Sequence, residues 1–251
     1  MNHAFNKAVK RYRTLVDGIA ALPNLAGHIQ KLVDQREGPS YTVQKPAVFN
    51  GAIGEESGGI RLILVGDNPG RREQEQGRYL VGPSGKIAET FFRNNGKLGV
   101  DFRENVLILN KTPIHTPRTV ELKELCRLGG KKLTDAVVSS QRFMAELLYE
   151  FWDALTKTAG APKNGLSKKN PLPVWIIGYS EMKKGGVFEA YTEKLKELCA
   201  ADPLFNDSLL LFRHFSMNQF TIDLRKKALP GEKCSQSLER IGAAYRERVL
   251  G

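Results

Sequence analysis

Between residues 66 and 86 the chain gathers several groups that could do chemistry. Gly66-Asp67-Asn68-Pro69-Gly70 sets a carboxylate and a carboxamide in one turn, because the Asn-Pro and Pro-Gly steps force the backbone round sharply. A carboxylate there can orient water and also shield a developing cation, whereas an amide can only orient. Both residue types also serve as plain turn formers, since their side chains bond their own backbone. Further on, Gly82-Pro83-Ser84-Gly85-Lys86 enters a helical pattern, and the free N–H groups of a helix start suit an anion. A nucleotide P-loop is disfavoured: the glycine spacing is too short, and Ile87 follows the lysine where Ser or Thr is required.

Such groups need rigid elements behind them. Arg61 to Val65 is a short Ile/Leu/Val run, as expected of a strand buried on both faces, and it leads straight into the Asp67 turn. Similar runs recur at Asn105 to Leu109, Pro173 to Ile177 and Ser208 to Phe212. Helical patterns lie between them, at Ile87 to Asn94, Val120 to Cys126, Thr134 to Lys157 and Phe188 to Cys199. Strands alternating with helices predict parallel βαβ units, hence an α/β chain folded as a three-layer α/β/α sandwich around a central four-stranded parallel sheet. Ligands of such sheets bind at the carboxyl ends of the strands.

Helical spacing of Phe5, Val9, Tyr12 and Leu15 continues to about residue 36, with a break near Pro23, and reads as a packing layer. Ser235 to Val249 is amphipathic and is expected to pack on the sheet. There is no internal repeat, so the expectation is a single domain over 1–251. Its largest elaboration would be residues 120–170, ending in the basic loop Ala161 to Asn170 and forming a small cap.

At 251 residues, 41% apolar and 26% charged, the composition is globular. Thirty-eight Lys and Arg against 27 acids leave +11, spread in doublets such as Arg71-Arg72 and Lys183-Lys184. That charge gives sequence-independent affinity for a polyanion, or a merely solvated basic surface. Cys126, Cys199 and Cys234 are too scattered for a metal or redox motif. Neither a signal-type segment nor a bilayer-length apolar run is present, so an intracellular setting, cytoplasmic or nucleoid in a bacterium, without membrane attachment is expected.

Taken together, Gly66-Asp67-Asn68-Pro69-Gly70, then Gly77-Arg78-Tyr79-Leu80-Val81-Gly82-Pro83-Ser84-Gly85, then Val106 to Asn110, then His214-Phe215-Ser216 resemble, in order and spacing, the uracil-DNA glycosylase superfamily. The resemblance covers roughly residues 60 to 220. The first motif looks like that of the mismatch-specific and single-strand-selective branches; the Gly77–Gly85 block looks like family 4. What this implies is a monofunctional DNA glycosylase of base excision repair, acting as a monomer on DNA that holds a damaged base. Uracil heads the substrate classes, with hypoxanthine next. A catalytically silent nucleic-acid-binding member of the fold, or a nucleoside or nucleotide hydrolase, is the alternative.

Carried over residue by residue, the resemblance implies that Asp67 or Asn68 positions water and that His214 donates to the base oxygen whose charge grows as the bond breaks. Asn110 would read the base edge, since one carboxamide offers both a donor and an acceptor. Tyr79 or Leu80 would face the base where relatives stack an aromatic ring, and Phe215, in place of the usual Pro, would supply an aromatic wall. Ser84, Gly85 and Ser216 would grip flanking phosphates, with Met217 and Asn218 at the wedge. Family 4 holds an iron–sulfur cluster on cysteines; Lys111-Thr112-Pro113 after Asn110 lacks that pattern, so no cofactor and no metal are expected.

Overall fold

A computed structural model describes residues 2–54, 59–158 and 172–251. Its centre is a sheet of parallel strands in the order β2-β1-β3-β4: β1 Leu62–Gly66, β2 Val106–Asn110, β3 Val174–Ile177 and β4 Leu209–Phe212. Every residue of these strands is buried, which is why they read as continuous Leu/Ile/Val runs and not as alternating patterns. Each begins one residue later than the pattern predicts. Registers pair Gly66 with Asn110 and Ile177 with Phe212, so the strands finish level along one edge. Strand order reverses between β1 and β3, making the crevice outside their carboxyl ends a topological switch point.

The helices cover both faces. Helices α1 (His3–Ala20), α2 (Leu25–Asp34), α5 (Glu121–Thr158) and α6 (Glu189–Ala201) pack together, with Phe5 of α1 edge-on to Phe151 of α5 at 5.2 Å. On the other face, Phe91 and Phe92 of α4 (Pro83–Asn94) and Phe220 of α8 (Gln219–Lys227) close round Trp175 of β3. Helix α9 (Cys234–Leu250) lies against β4, where Gly242 lets it approach the Leu210 and Phe212 side chains. A short α3 (Arg71–Gln76) follows β1, and α7 (Pro203–Ser208), N-capped by Asp202, precedes β4.

The expected elaboration is a layer helix over its described part. Helix α5 packs on α1, α2 and α6, and its two predicted halves are separated by Gly130, whose φ of +63° leaves the helical region. The basic loop from 161 to 170 lies outside the described residues. No helix among the described residues is long and apolar enough to cross a membrane.

Candidate active site

The level strand ends open into a cleft of about 610 Å³. Its walls bring together Asp67 and Asn68 from the turn after β1, Asn110 from the end of β2, Gly178 and Ser180 after β3, and His214 and Ser216 after β4. Leu80, Gly82 and Ser84 close it from the start of α4, and Arg71, Arg72 and Arg118 stand at its rim. Residues 148 positions apart in sequence thus meet because parallel strands all end on the same edge.

Asp67 is not a lone carboxylate. The Nζ of Lys111, the residue directly after β2, lies 2.6 Å from Asp67 Oδ1, 2.6 Å from the Ile177 carbonyl and 3.4 Å from the Gly66 carbonyl. The Lys111 side chain is wholly buried, over the Phe188 ring, while that of Asp67 keeps 14% of its surface. Burial pulls the Lys111 ammonium below its ordinary value and the Asp67 charge pulls it back. Three acceptors for three N–H groups match the charged form. The Asp67 carboxylate leans over Gly178, where a Cβ would come within 2.4 Å of Oδ1 and where φ is +78°, so that position takes glycine on both counts.

Asn68 is engaged differently. Its Nδ2 donates to Thr116 Oγ1 (2.8 Å) and to the Ile114 carbonyl (3.3 Å), while its Oδ1 accepts from Thr119 Oγ1 (2.9 Å). The amide therefore ties the turn to the loop bearing Arg118. Behind it, His115 is buried with Nδ1 2.8 Å from the Pro69 carbonyl and Nε2 2.9 Å from the Tyr41 hydroxyl. Burial pushes this histidine down to about 4, so it is neutral, with Nδ1–H donating to Pro69 and Nε2 accepting from Tyr41.

Asn110 is buried, and its Oδ1 lies so close to Gly66 that a Cβ there would sit 2.5 Å away. Yet its carboxamide has no hydrogen-bond partner among the described residues, although it lines the cleft. His214 accepts the Ser216 N–H on Nδ1 at 3.0 Å, which leaves Nε2 as the protonated nitrogen of the neutral ring. Its enclosure holds it below the ordinary histidine value; the Asp67 charge acts against this shift and the Lys111 charge with it.

The glycine-serine turn is held by a group that sequence reasoning missed. The Glu73 carboxylate accepts the Gly70 N–H at 2.9 Å and lies beside the backbone of Val81 and Gly82, setting the Asp67 turn against the α4 start. A Gly-x-x-Glu spacing at a helix start was the available signal. Gly85 is required by contact: a Cβ would fall 1.6 Å from the Leu80 carbonyl oxygen. Leu80 itself has φ +50°, and Arg103 Nη2 donates to its carbonyl at 2.9 Å.

Three expected base- or DNA-facing side chains lie elsewhere. Tyr79 points into the core, where its hydroxyl donates to the Val48 carbonyl and accepts from Tyr12, both at 2.6 Å; Leu80 faces the cleft instead. Phe215 is fully buried and stacks on Phe220 at 4.3 Å, filling the core below the His214 loop rather than walling the cleft. Asn218 lines a different groove, with Lys86 and Arg225. Met217 is 80% exposed, at φ +49°.

Cys126, Cys199 and Cys234 are free thiols on α5, α6 and α9, each raised above its ordinary value by burial, and no group of metal ligands forms among the described residues. A cysteine-held cluster does not fit them.

No family model matches the chain. The chain is similar to a type-4 uracil-DNA glycosylase from Thermotoga maritima, with 28% identity over 140 residues that span 52% of this chain and 71% of that protein. Together with the shared edge of Asp67, Asn68, Asn110 and His214, that likeness supports a relationship to the uracil-DNA glycosylase superfamily.

Proposed function

We propose that the cleft hydrolyses the N-glycosidic bond of a deaminated base in DNA, uracil first and hypoxanthine second, as a monofunctional glycosylase built on a single domain and acting as a monomer in base excision repair inside the cell. The observation that carries this reading is Asn110: a buried carboxamide, unpartnered among the described residues, on the wall of a cleft that also holds a carboxylate and a neutral histidine. Its amide atoms are not sealed from the cleft, so one donor and one acceptor stay available to a ligand edge with one carbonyl and one N–H. Uracil and hypoxanthine both present that edge.

As the bond between C1′ and the base nitrogen breaks, the electron pair leaves with the base and positive charge grows on the sugar. Asp67 faces that cation and orients the water whose oxygen bonds to C1′; the water's proton passes to the carboxylate. His214 donates its Nε2–H to the base oxygen that gains charge. Asn68, with its amide engaged by Thr116, Ile114 and Thr119, holds the turn. Lys111 has zero exposed surface and all three N–H groups engaged, which supports water, not a lysine Schiff base, as the nucleophile.

The α4 N-terminus with Ser84 and Gly85, Ser216, and the rim cations Arg72 and Arg118 suit flanking phosphates. Exposed Met217, next to Asn218, suits the gap left when a base is flipped out. A base would meet Leu80 where relatives offer an aromatic ring, so binding without excision is the second outcome worth separating. Oligonucleotides bearing single uracil or hypoxanthine lesions, cleaved with alkali after incubation, test this. Abasic product from either supports the reading; salt-sensitive binding with no product from either would replace it with a silent DNA-binding member of the fold.

A further inference from the structure

Lys111 belongs to none of the motifs that define the cleft, yet among the described residues it is the side chain that bonds the Asp67 carboxylate. It starts at the end of β2, reaches across β1 and ends against β3, so one ammonium gathers the carboxyl ends of the strands on both sides of the switch point. Its backbone N–H adds bonds to the carbonyls of Gly66 (3.1 Å) and Asp67 (3.0 Å), fixing the residue at both ends.

The need for a cation there is electrostatic. Strand-end carbonyls of Gly66 and Ile177 and the Asp67 carboxylate all direct negative charge at the fully buried end of the Lys111 side chain, and an uncompensated charge in such a place is costly. The ammonium offsets all of these groups. It also takes up only Oδ1, while Gly178 leaves room for the carboxylate to lie over the β3 turn. Oδ2 remains for the cleft.

We infer that Lys111 is a positioning residue of the reaction, which orients Asp67 and keeps its second oxygen turned to the substrate. The inference rests on the excision reading. If Lys111 acts through Asp67, its loss matters only while Asp67 is a carboxylate, so the two residues form a unit whose mutational effects do not add.

The test is a double-mutant cycle on single-turnover uracil excision, with affinity for the same uracil oligonucleotide measured by fluorescence anisotropy. Lys111→Met should slow excision about 10²-fold with affinity within about threefold of wild type. In an Asp67→Asn background the same change should cost less than about threefold more. A full-rate Lys111→Met, or a further tenfold loss in the Asp67→Asn background, overturns the inference while leaving the excision reading standing. A full-rate Asp67→Asn removes Asp67 from the reaction, and the inference with it, while the excision reading stands; absence of excision by the wild-type protein removes the excision reading itself. Should Lys111→Met fail to fold, Gly178→Ala displaces the carboxylate with Lys111 intact: a loss of about 10²-fold supports positioning, and a full rate overturns it.

Discussion

The cleft has two sides of opposite character. On the side of β1, β2 and β3, polar groups are engaged: Asp67 with Lys111, Asn68 with Thr116 and Thr119, Glu73 with the Gly70 N–H, His115 between Pro69 and Tyr41. On the β4 side, Met217 and Asn218 hold consecutive left-handed backbone conformations, at φ +49° and +57°, and Met217 is largely in solvent. Left-handed backbone costs a non-glycine residue free energy and persists only where its surroundings impose it. Here the Asn218 N–H to the Phe215 carbonyl (3.0 Å) and the Phe220 N–H to the His214 carbonyl (3.1 Å) impose it, above the buried Phe215. The contrast teaches a division of labour under the proposed reaction. The locked side keeps reacting groups in register with little to reorganise, while the strained side presents side chains to a partner. Asn110 is the exception on the locked side, since it alone of these groups is left without a partner among the described residues.

The contrast can be broken most severely at Asp67. Asp67→Asn should slow single-turnover excision about 10³-fold while oligonucleotide affinity stays near wild type. A small effect would mean that the locked side holds structure only. Next, His214→Asn should slow excision about 10²-fold, since the amide can still accept the Ser216 N–H but is a poorer donor to a developing oxyanion.

The same residue carries a pH signature. Because His214 lies below the ordinary value of about 6.5 when folded, the unfolded chain takes up the proton first as pH falls, and stability drops with acidification from that point. His115, pushed down to about 4, contributes a slope of the same sign extending further into acid. Urea titrations between pH 7 and 4 should therefore show a fall that His214→Asn makes shallower and His115→Gln makes shallower still at the acid end.

Asn110→Ala separates function from stability. Excision should fall about 30-fold, the order of one lost bidentate base contact, with the urea midpoint nearly unchanged, because the carboxamide makes no hydrogen bond among the described residues and faces the cleft. A clear loss of stability would show that Asn110 belongs with the satisfied groups. The smallest effect is expected at Met217→Gly, which relieves a left-handed backbone and should raise stability by about 1 kcal/mol. Excision from duplex should weaken more than from single strands, as read by parallel rate measurements.

Much of the frame was legible in the sequence. The strands were readable to within a residue because a parallel strand buried on both faces must be a continuous apolar run. Asp67 was readable as a site candidate from the turn that follows such a run, whereas Asn110 and His214 were readable only through the resemblance of the four motifs taken together. Helix α3 was not, since Arg71 to Gln76 has no apolar periodicity, and it is held by the Glu73 carboxylate and the Asp67 turn rather than by a buried stripe.

By itself the sequence determined the order of strands along the chain, the turn chemistry of Asp67 to Gly70 and the basic balance of the surface, all of which depend on residue type and short-range spacing. Tertiary structure alone decided which neighbour in each ambiguous pair has the cleft. Leu80 faces it because Tyr79 finds Tyr12 and Val48 in the core; Asp67 keeps an oxygen for it because Lys111 takes only the other, whereas Asn68 is engaged by Thr116 and Thr119. Those partners lie between 31 and 67 positions away in the chain, and one-residue choices of direction are settled by what each side chain meets across that distance.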